Sequence, residues 1–208
     1  MLAQQTEQSP PIVDTSALAA LRRPAFLLAG PLAVVSIVMV VVAGSTSGGD
    51  AVTMVTGGTG IASSVTALAT LIALAVGLAV LPAQASALRA GFGRVAWLVA
   101  LLGTVLVSGG YWSSVFIQPG LADVAPDVVR DGIGSVTAGF IASYLVLGLG
   151  WALLAITLLR AKLVAVSGWF LLATALIAIS PAPFRYLPLA VAATFACGLR
   201  LGRRSGRA

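Results

Sequence analysis

GIGSVTAGFIASYLVLGLGWALLAITLL, residues 132–159, runs for 28 residues between Asp131 and Arg160 without a charged side chain. A bilayer's hydrocarbon layer is about 30 Å thick, which takes about 20 apolar residues of helix to cross. Residues 132–159 clear that length, and the same measure works outward along the chain. The other charge-free gaps are residues 24–49 (26), 51–88 (38), 95–122 (28), 163–184 (22) and 186–199 (14). Five of the six gaps are long enough. Apolar content trims them to spans at 25–43, 61–82, 95–117, 135–159 and 163–180. The sixth is short, but Arg185 and Arg200 can lay their stems along lipid and keep their charged heads at the two interfaces. A short helix at 184–201 completes an all-α polytopic bundle of six transmembrane helices.

Composition agrees with lipid as the main solvent. Apolar residues are 59% of the 208 and charged residues 9%, against about 25% charged in an ordinary soluble domain. Mean hydropathy is +1.06. With 11 arginines, one lysine and heavy use of Ala, Gly and Val, the chain has the bias of a high-GC bacterial genome.

Charge placement predicts orientation. Arg22 and Arg23 precede the first span, and Arg89 and Arg94 lie between the second and third. Arg160 and Lys162 separate the fourth and fifth; Arg200, Arg203, Arg204 and Arg207 follow the sixth. Ten of the 12 basic residues therefore share one side, with Arg130 and Arg185 opposite. Asp50, Asp123, Asp127 and Asp131 join them on the basic-poor side. Basic residues are retained in the cytoplasm, so both termini face inward. Without a sixth crossing the last four arginines would lie outside. Arg22-Arg23 ahead of an apolar run has the flavour of a signal peptide, but the run is longer than the usual 7–15 residues, so a retained anchor is expected.

The spans sit between a polar cytoplasmic tail (1–21) and a basic one (203–208). The first tail reads as loose, with a stretch able to turn helical from Asp14 or Ser16. The basic tail would add about 1 kcal/mol of attraction to anionic headgroups per charge; it sets orientation, and no nucleic-acid partner is expected. The first outer loop, residues 44–60, contains Gly57-Gly58-Thr59-Gly60. A phosphate loop needs Gly-Lys-Ser/Thr, which is missing, so this is a flexible connection. The second, QPGLADVAPDVVRDGIG at 118–134, predicts one or two short interfacial helical turns, with Pro126 at a first helical position and Gly132 past an end. A continuous helix would align Asp123, Asp127 and Asp131 for a hard cation. Pro126 breaks that register, and a solvated acidic face is expected.

No span core holds a group that ionises near neutral pH. That disfavours proton-coupled transport and intramembrane hydrolysis. Histidine is absent and Cys197 is the single cysteine, which excludes imidazole chemistry and an intrachain disulfide. No catalytic residue, cofactor or metal is expected. Small residues recur every four positions at Ser135, Gly139 and Ser143 and at Ala69, Ala73 and Gly77. These two faces are expected in helix contacts, within one chain or between chains. Trp97, Trp169, Tyr111, Trp112 and Tyr186 fall near span ends as an interfacial belt. Tyr144 and Trp151 lie deeper. Tyr144, Trp151 and Trp112 are candidate ligand contacts, with helix-to-helix bonding the stronger alternative. Pro31 is placed to kink the first span, and Pro181, Pro183 and Pro188 to tighten the last turn.

Tyr111-Trp112 through Ala125-Pro126, then Leu149-Gly150-Trp151 and Leu159-Arg160-Ala161, resemble a large group of uncharacterised multi-pass membrane proteins of high-GC Gram-positive bacteria. The resemblance covers residues 95–175. It implies an inner-membrane protein with no assigned activity, and it carries over no catalytic residue.

The chain is thus expected to be a non-catalytic accessory, scaffold or interaction protein of the bacterial cytoplasmic membrane. Its partners would be the lipid bilayer and either another membrane protein or a second copy. A permease or channel for a neutral or lipid-like solute is the alternative. An enzyme would have to use Asp123, Asp127, Asp131 and Arg130 at the outer surface.

Overall fold

The computed structural model describes residues 15–180 and 185–200, with side chains over 20–180 and 185–199. Every element among them is helical: α1 (Thr15–Thr46), α2 (Ala51–Thr56), α3 (Gly58–Val80), α4 (Gly91–Phe116), α5 (Gln118–Val124), α6 (Pro126–Asp131), α7 (Gly134–Arg160), α8 (Val166–Ile179) and α9 (Tyr186–Ala193). α9 runs on into a π-helical segment, Thr194–Arg200. Two 3-10 turns, Leu81–Ala83 and Ser86–Leu88, link α3 to α4.

The six longer helices form a closed ring. α1 packs on α3, α3 on α4, α4 on α7, α7 on α8, α8 on α9, and α9 returns to α1. One end of the ring carries Asp50, α5 and α6, and is called the acidic end below; Arg89, Arg94 and Arg160 lie at the other. Large apolar side chains line the outside, among them Leu28, Val38 and Val41 of α1 and Leu98, Leu102 and Val105 of α4. A soluble monomer rarely shows so continuous an apolar surface. Four stretches are long and apolar enough to cross a membrane: Ala20–Thr46, Gly58–Ala83, Gly91–Phe116 and Pro126–Arg160.

The helix expected as a fifth span departs from expectation. α8 has 14 residues, about 21 Å of helix, in place of 163–180. Its start is delayed by a turn in which Lys162 takes a positive φ of 55°. α9 with its π segment is also short, as the spacing of Arg185 and Arg200 predicts. Helix α1 starts at Thr15, so residues 15–21 belong to it rather than to a tail. Residues 1–14, the 203–208 tail and the Pro181/Pro183 turn lie outside the described residues.

The first connection is more ordered than a flexible loop. Asp50 caps α2, its Oδ2 accepting from Thr53 N–H at 2.9 Å and Thr53 Oγ1–H at 2.7 Å. The second connection forms two short helices as its punctuation predicts. Pro126 opens α6, and Gly132 ends it at φ 71°. Arg130 ties the two connections, reaching Asp50 at 3.3 Å and Asp127 at 3.3 Å. Both pairs are exposed, so each contributes little.

Helix contacts use small residues, but a different set in α7. A Cβ on Gly150 would lie 2.5 Å from Ala100 Cα, and one on Gly103 would lie 2.7 Å from the Val146 carbonyl carbon, so α4 and α7 touch backbone to backbone. Gly148 meets Ala175 O of α8 in the same manner. Ser135 and Gly139 are exposed, nothing lies within 4 Å of a Cβ on Gly139, and Ser143 bonds back to Gly139 O. Among the described residues nothing packs on Gly139, because the crossing of α7 with α4 is centred two to three turns further on, at Leu147 and Gly150. In α3, Gly77 is buried on the Phe26 ring, Ala73 packs against the core and Ala69 is half-buried.

Thr194 sits where α9 passes into the π segment. Its Oγ1 donates to Phe26 O at 2.7 Å and accepts from Gly30 N at 3.0 Å. Those two groups would otherwise bond each other in the α1 ladder, beside Pro31. At the arginine-rich end Arg22 turns inward instead of snorkelling. It is 4% exposed, and its Nε finds no partner among the described residues.

Candidate functional site

All three tyrosines of the chain meet in the half of the ring nearer the acidic end. Tyr111 comes from α4, Tyr144 from α7 and Tyr186 from α9. The hydroxyls of Tyr111 and Tyr144 are 3.2 Å apart. The Tyr186 hydroxyl lies 2.6 Å from Ser36 Oγ of α1, which in turn donates to Ser63 O of α3 at 2.9 Å. Ser63 returns the bond to Ser36 O at 2.9 Å. The Tyr111 and Tyr186 rings meet edge to face at 5.3 Å, and Phe140 stands 5.9 Å from Tyr111 and 5.1 Å from Tyr144. Hydroxyl bonds thus join α4 to α7 and α9 to α1 and α3, and the Tyr111–Tyr186 ring contact joins the two sets. A polar group held out of water costs free energy unless it is bonded, and here each hydroxyl finds another.

Arg185, immediately before α9, lies over this cluster. Its guanidinium carbon is 4.1 Å from the Tyr144 ring centroid, and Nη1 donates to Ser180 O at 2.9 Å. Beside it opens a cavity of about 740 Å³ between α4, α7 and the end of α8. Ser113, Ser114 and Thr137 supply hydroxyls; Phe140, Ile141 and Ile179 supply apolar wall. A smaller cavity, about 110 Å³, lies across the cluster against α2, lined by Met54, Ser63, Tyr111 and Tyr186 among others. Toward the arginine-rich end the interior is filled by fully buried Leu71, Leu74, Leu147 and Leu154 with Trp151.

Neither a protein family, nor a curated protein, nor a solved structure matches this chain.

The three candidate ligand contacts part company. Tyr144 belongs to the cluster and backs the large cavity through Arg185 and Phe140. Trp151 is fully buried and donates Nε1–H to Thr104 Oγ1 of α4 at 3.1 Å, a helix-to-helix bond. Trp112 is 52% exposed on the outside of α4 with its ring 5.2 Å from Phe116, and it lines none of these cavities. Asp123, Asp127 and Asp131 do not gather; among the described residues no three acidic, Cys or His side chains could share a metal ion. Sequence reasoning missed Ser36, Ser63, Tyr111, Phe140, Tyr186 and Arg185 as one group. The available signal was that the only three tyrosines all fall within or near the same half of their spans.

Proposed function

We propose that this is a six-crossing protein of the bacterial cytoplasmic membrane, with both termini inside, that works by binding rather than catalysis. It serves as an accessory, scaffold or interaction protein. In the sequence, ten of 12 basic residues fall on one side of the alternating spans and connections, which supports the orientation. The closed ring supports six crossings, with the short α8 and α9 matched to the bilayer by local thinning and by snorkelling arginines. The bias toward Arg, Ala, Gly and Val, with the resemblance over residues 95–175, supports a high-GC Gram-positive membrane.

The observation that carries the interaction reading is the acidic-end half of α7. Residues 134–139 are all exposed, whereas Leu147, Gly148, Gly150 and Trp151 further along are buried. Ser135 and Gly139 thereby offer a second helix the same close approach that Gly150 gives Ala100. The occupant would be a helix of another membrane protein or of a second copy. Cross-linking of Ser135→Cys in native membranes tests this, since Cys197 is fully buried and stays silent. A discrete adduct is expected; a solitary monomer under all conditions would remove the reading. Reporters at Ala208 and within residues 48–58 test orientation, and a tail read outside would overturn it.

A second reading, a permease for a neutral or lipid-like solute, is favoured by the 740 Å³ cavity. Uptake into proteoliposomes above empty vesicles tests it, and no uptake across a panel of solutes would count against it.

A further inference from the structure

The cavity beside Arg185 has the chemistry of an amphiphile site. Its volume of about 740 Å³ falls within the roughly 300–1,000 Å³ of small-molecule pockets. Val136 and Ile141 line it and are also 57% and 47% exposed on the outer face of α7. The cavity is therefore continuous with the apolar surface that a lipid chain would touch. Its one cationic lining residue is Arg185, and among the described residues no carboxylate lies within ion-pair distance of it. Arg130, the other basic residue of this end, is already matched by Asp50 and Asp127.

A guanidinium has five N–H donors in a rigid fork that suits phosphate oxygens. The Ser180 carbonyl holds one of them, and the Tyr144 ring holds the plane. The hydroxyl cluster fixes Tyr144 in turn, so little side-chain freedom is left to lose when an anion arrives. Ser113 and Thr137 place hydroxyl donors around the same space, while the Ser114 hydroxyl donates back to Gly110 O at 3.3 Å.

We propose that this cavity binds the phosphate headgroup of an anionic phospholipid from the surrounding leaflet, with Arg185 on the phosphate and the first methylenes of a chain against Phe140, Ile141 and Ile179. A lipid is favoured over a soluble anion because the wall is mostly apolar and Val136 and Ile141 open it sideways. The inference deepens the permease reading by naming a solute class. Retention without uptake would remove that reading and leave this one; uptake without Arg185-dependent retention would do the reverse.

The test uses the purified full chain in nonionic detergent, with lipid retention read by native mass spectrometry. Phosphatidylglycerol should be retained about tenfold better than phosphatidylcholine, because choline sets a second cation beside the phosphate that Arg185 repels; tenfold corresponds to about 1.4 kcal/mol. Arg185→Gln should erase that preference. Arg185→Lys should keep a reduced one, and Arg130→Gln, which removes the same charge from the same end, should keep it whole. Ile141→Trp fills the cavity without touching Arg185 and should lower retention of both lipids, which decides the matter should Arg185→Gln fail to fold. Equal retention of the two lipids by the unaltered chain would overturn the proposal. So would a preference surviving in Arg185→Gln, an equal loss in Arg130→Gln, or displacement of the lipid by excess inorganic phosphate.

Discussion

Gly150 and Gly139 sit on one helix, eleven residues apart by number, and the same substitution should have opposite effects at the two. In Gly150→Ala the added Cβ would lie 2.5 Å from Ala100 Cα and 2.5 Å from the Val99 carbonyl carbon. Both are backbone atoms, so no rotamer change relieves the clash. Ordinary contact between such atoms needs about 3.5–4 Å, so α4 and α7 must part by about 1 Å at their crossing. Overpacking of this kind costs about 1–3 kcal/mol. Alanine recovers about 0.5–1 kcal/mol over glycine in a helix. The net for Gly150→Ala is a loss of up to about 2.5 kcal/mol. Nothing lies within 4 Å of the corresponding Cβ on Gly139, so Gly139→Ala keeps the helix gain and has no clash to offset it.

Cys197 supplies the assay. It is the single cysteine and is fully buried between α1 and the end of the last helix, so a fluorogenic thiol reagent reports loss of the packed state directly. For a chain of this size about 1 kcal/mol moves the midpoint by about 2–4 °C. Gly150→Ala should therefore unfold below the parent in the same detergent, by up to about 10 °C, and Gly139→Ala at or slightly above it. Equal midpoints for the two variants would refute the claim that α4 and α7 meet backbone to backbone at Gly150.

Other expectations follow from single contacts. Thr194→Val keeps shape but removes the hydroxyl between Phe26 O and Gly30 N; the cost should be about 0.6–1.7 kcal/mol, read in the same thiol assay, and an unchanged midpoint would contradict the bridge. Trp151→Phe removes the bond to Thr104 and should cost a similar amount, while Trp112→Phe on the outer surface should cost almost nothing; reversal of that order would place Trp151 wrongly. Asp50 is held below its ordinary value of 3.8, first by the Thr53 hydroxyl, then by the Thr53 N–H and Arg130. A lowered folded-state value means the cap is complete above 3.8 and is lost as pH falls through the folded value. Hydrogen exchange across Ala51–Thr56, corrected for intrinsic rate, should therefore stay flat through neutral and mildly acidic pH and rise only below that point. Asp50→Ala should show the raised rate at neutral pH, and a pH-dependent rise near pH 6 would exclude Asp50 as its cause.

The bundle was legible because lipid imposes a long apolar helix at each crossing, and charges can gather only where crossings end. Charge-free gaps trimmed by apolar content therefore mark α3, α4 and α7 with errors of a few residues, and miss the first ten residues of α1, which run through Arg22 and Arg23. The method fails at α8, where 163–180 reads as one apolar run. Hydropathy is blind to the turn at Lys162, which uses apolar Leu163, Val164 and Ala165 to delay the helix. Punctuation carried the second connection, since Pro126 and Gly132 constrain the backbone locally. The first was underread because Asp50 looked like a loop charge, although an Asp three residues ahead of a Thr also reads as a cap.

The site was harder for a physical reason. A serine or tyrosine within an apolar span satisfies its hydroxyl either on its own helix carbonyls or across the bundle, and sequence does not separate the two. Thr66, Thr70 and Ser108 take the first course, each bonding a carbonyl three or four residues back. A tyrosine hydroxyl is carried too far from its own backbone for that. Tyr111, Tyr144 and Tyr186 must therefore seek partners on other helices, and three tyrosines at one depth of a narrow ring have mainly each other. Ser36 and Ser63 then follow, because Tyr186 projects toward the α1–α3 contact. The cluster is thus a consequence of side-chain length at a common depth, and what sets it apart from packing alone is Arg185. A guanidinium stacked on Tyr144, without a carboxylate and open to 740 Å³ of mostly apolar space, leaves a positive charge that no described side chain matches. In a leaflet that charge attracts the anions at hand, which are headgroups.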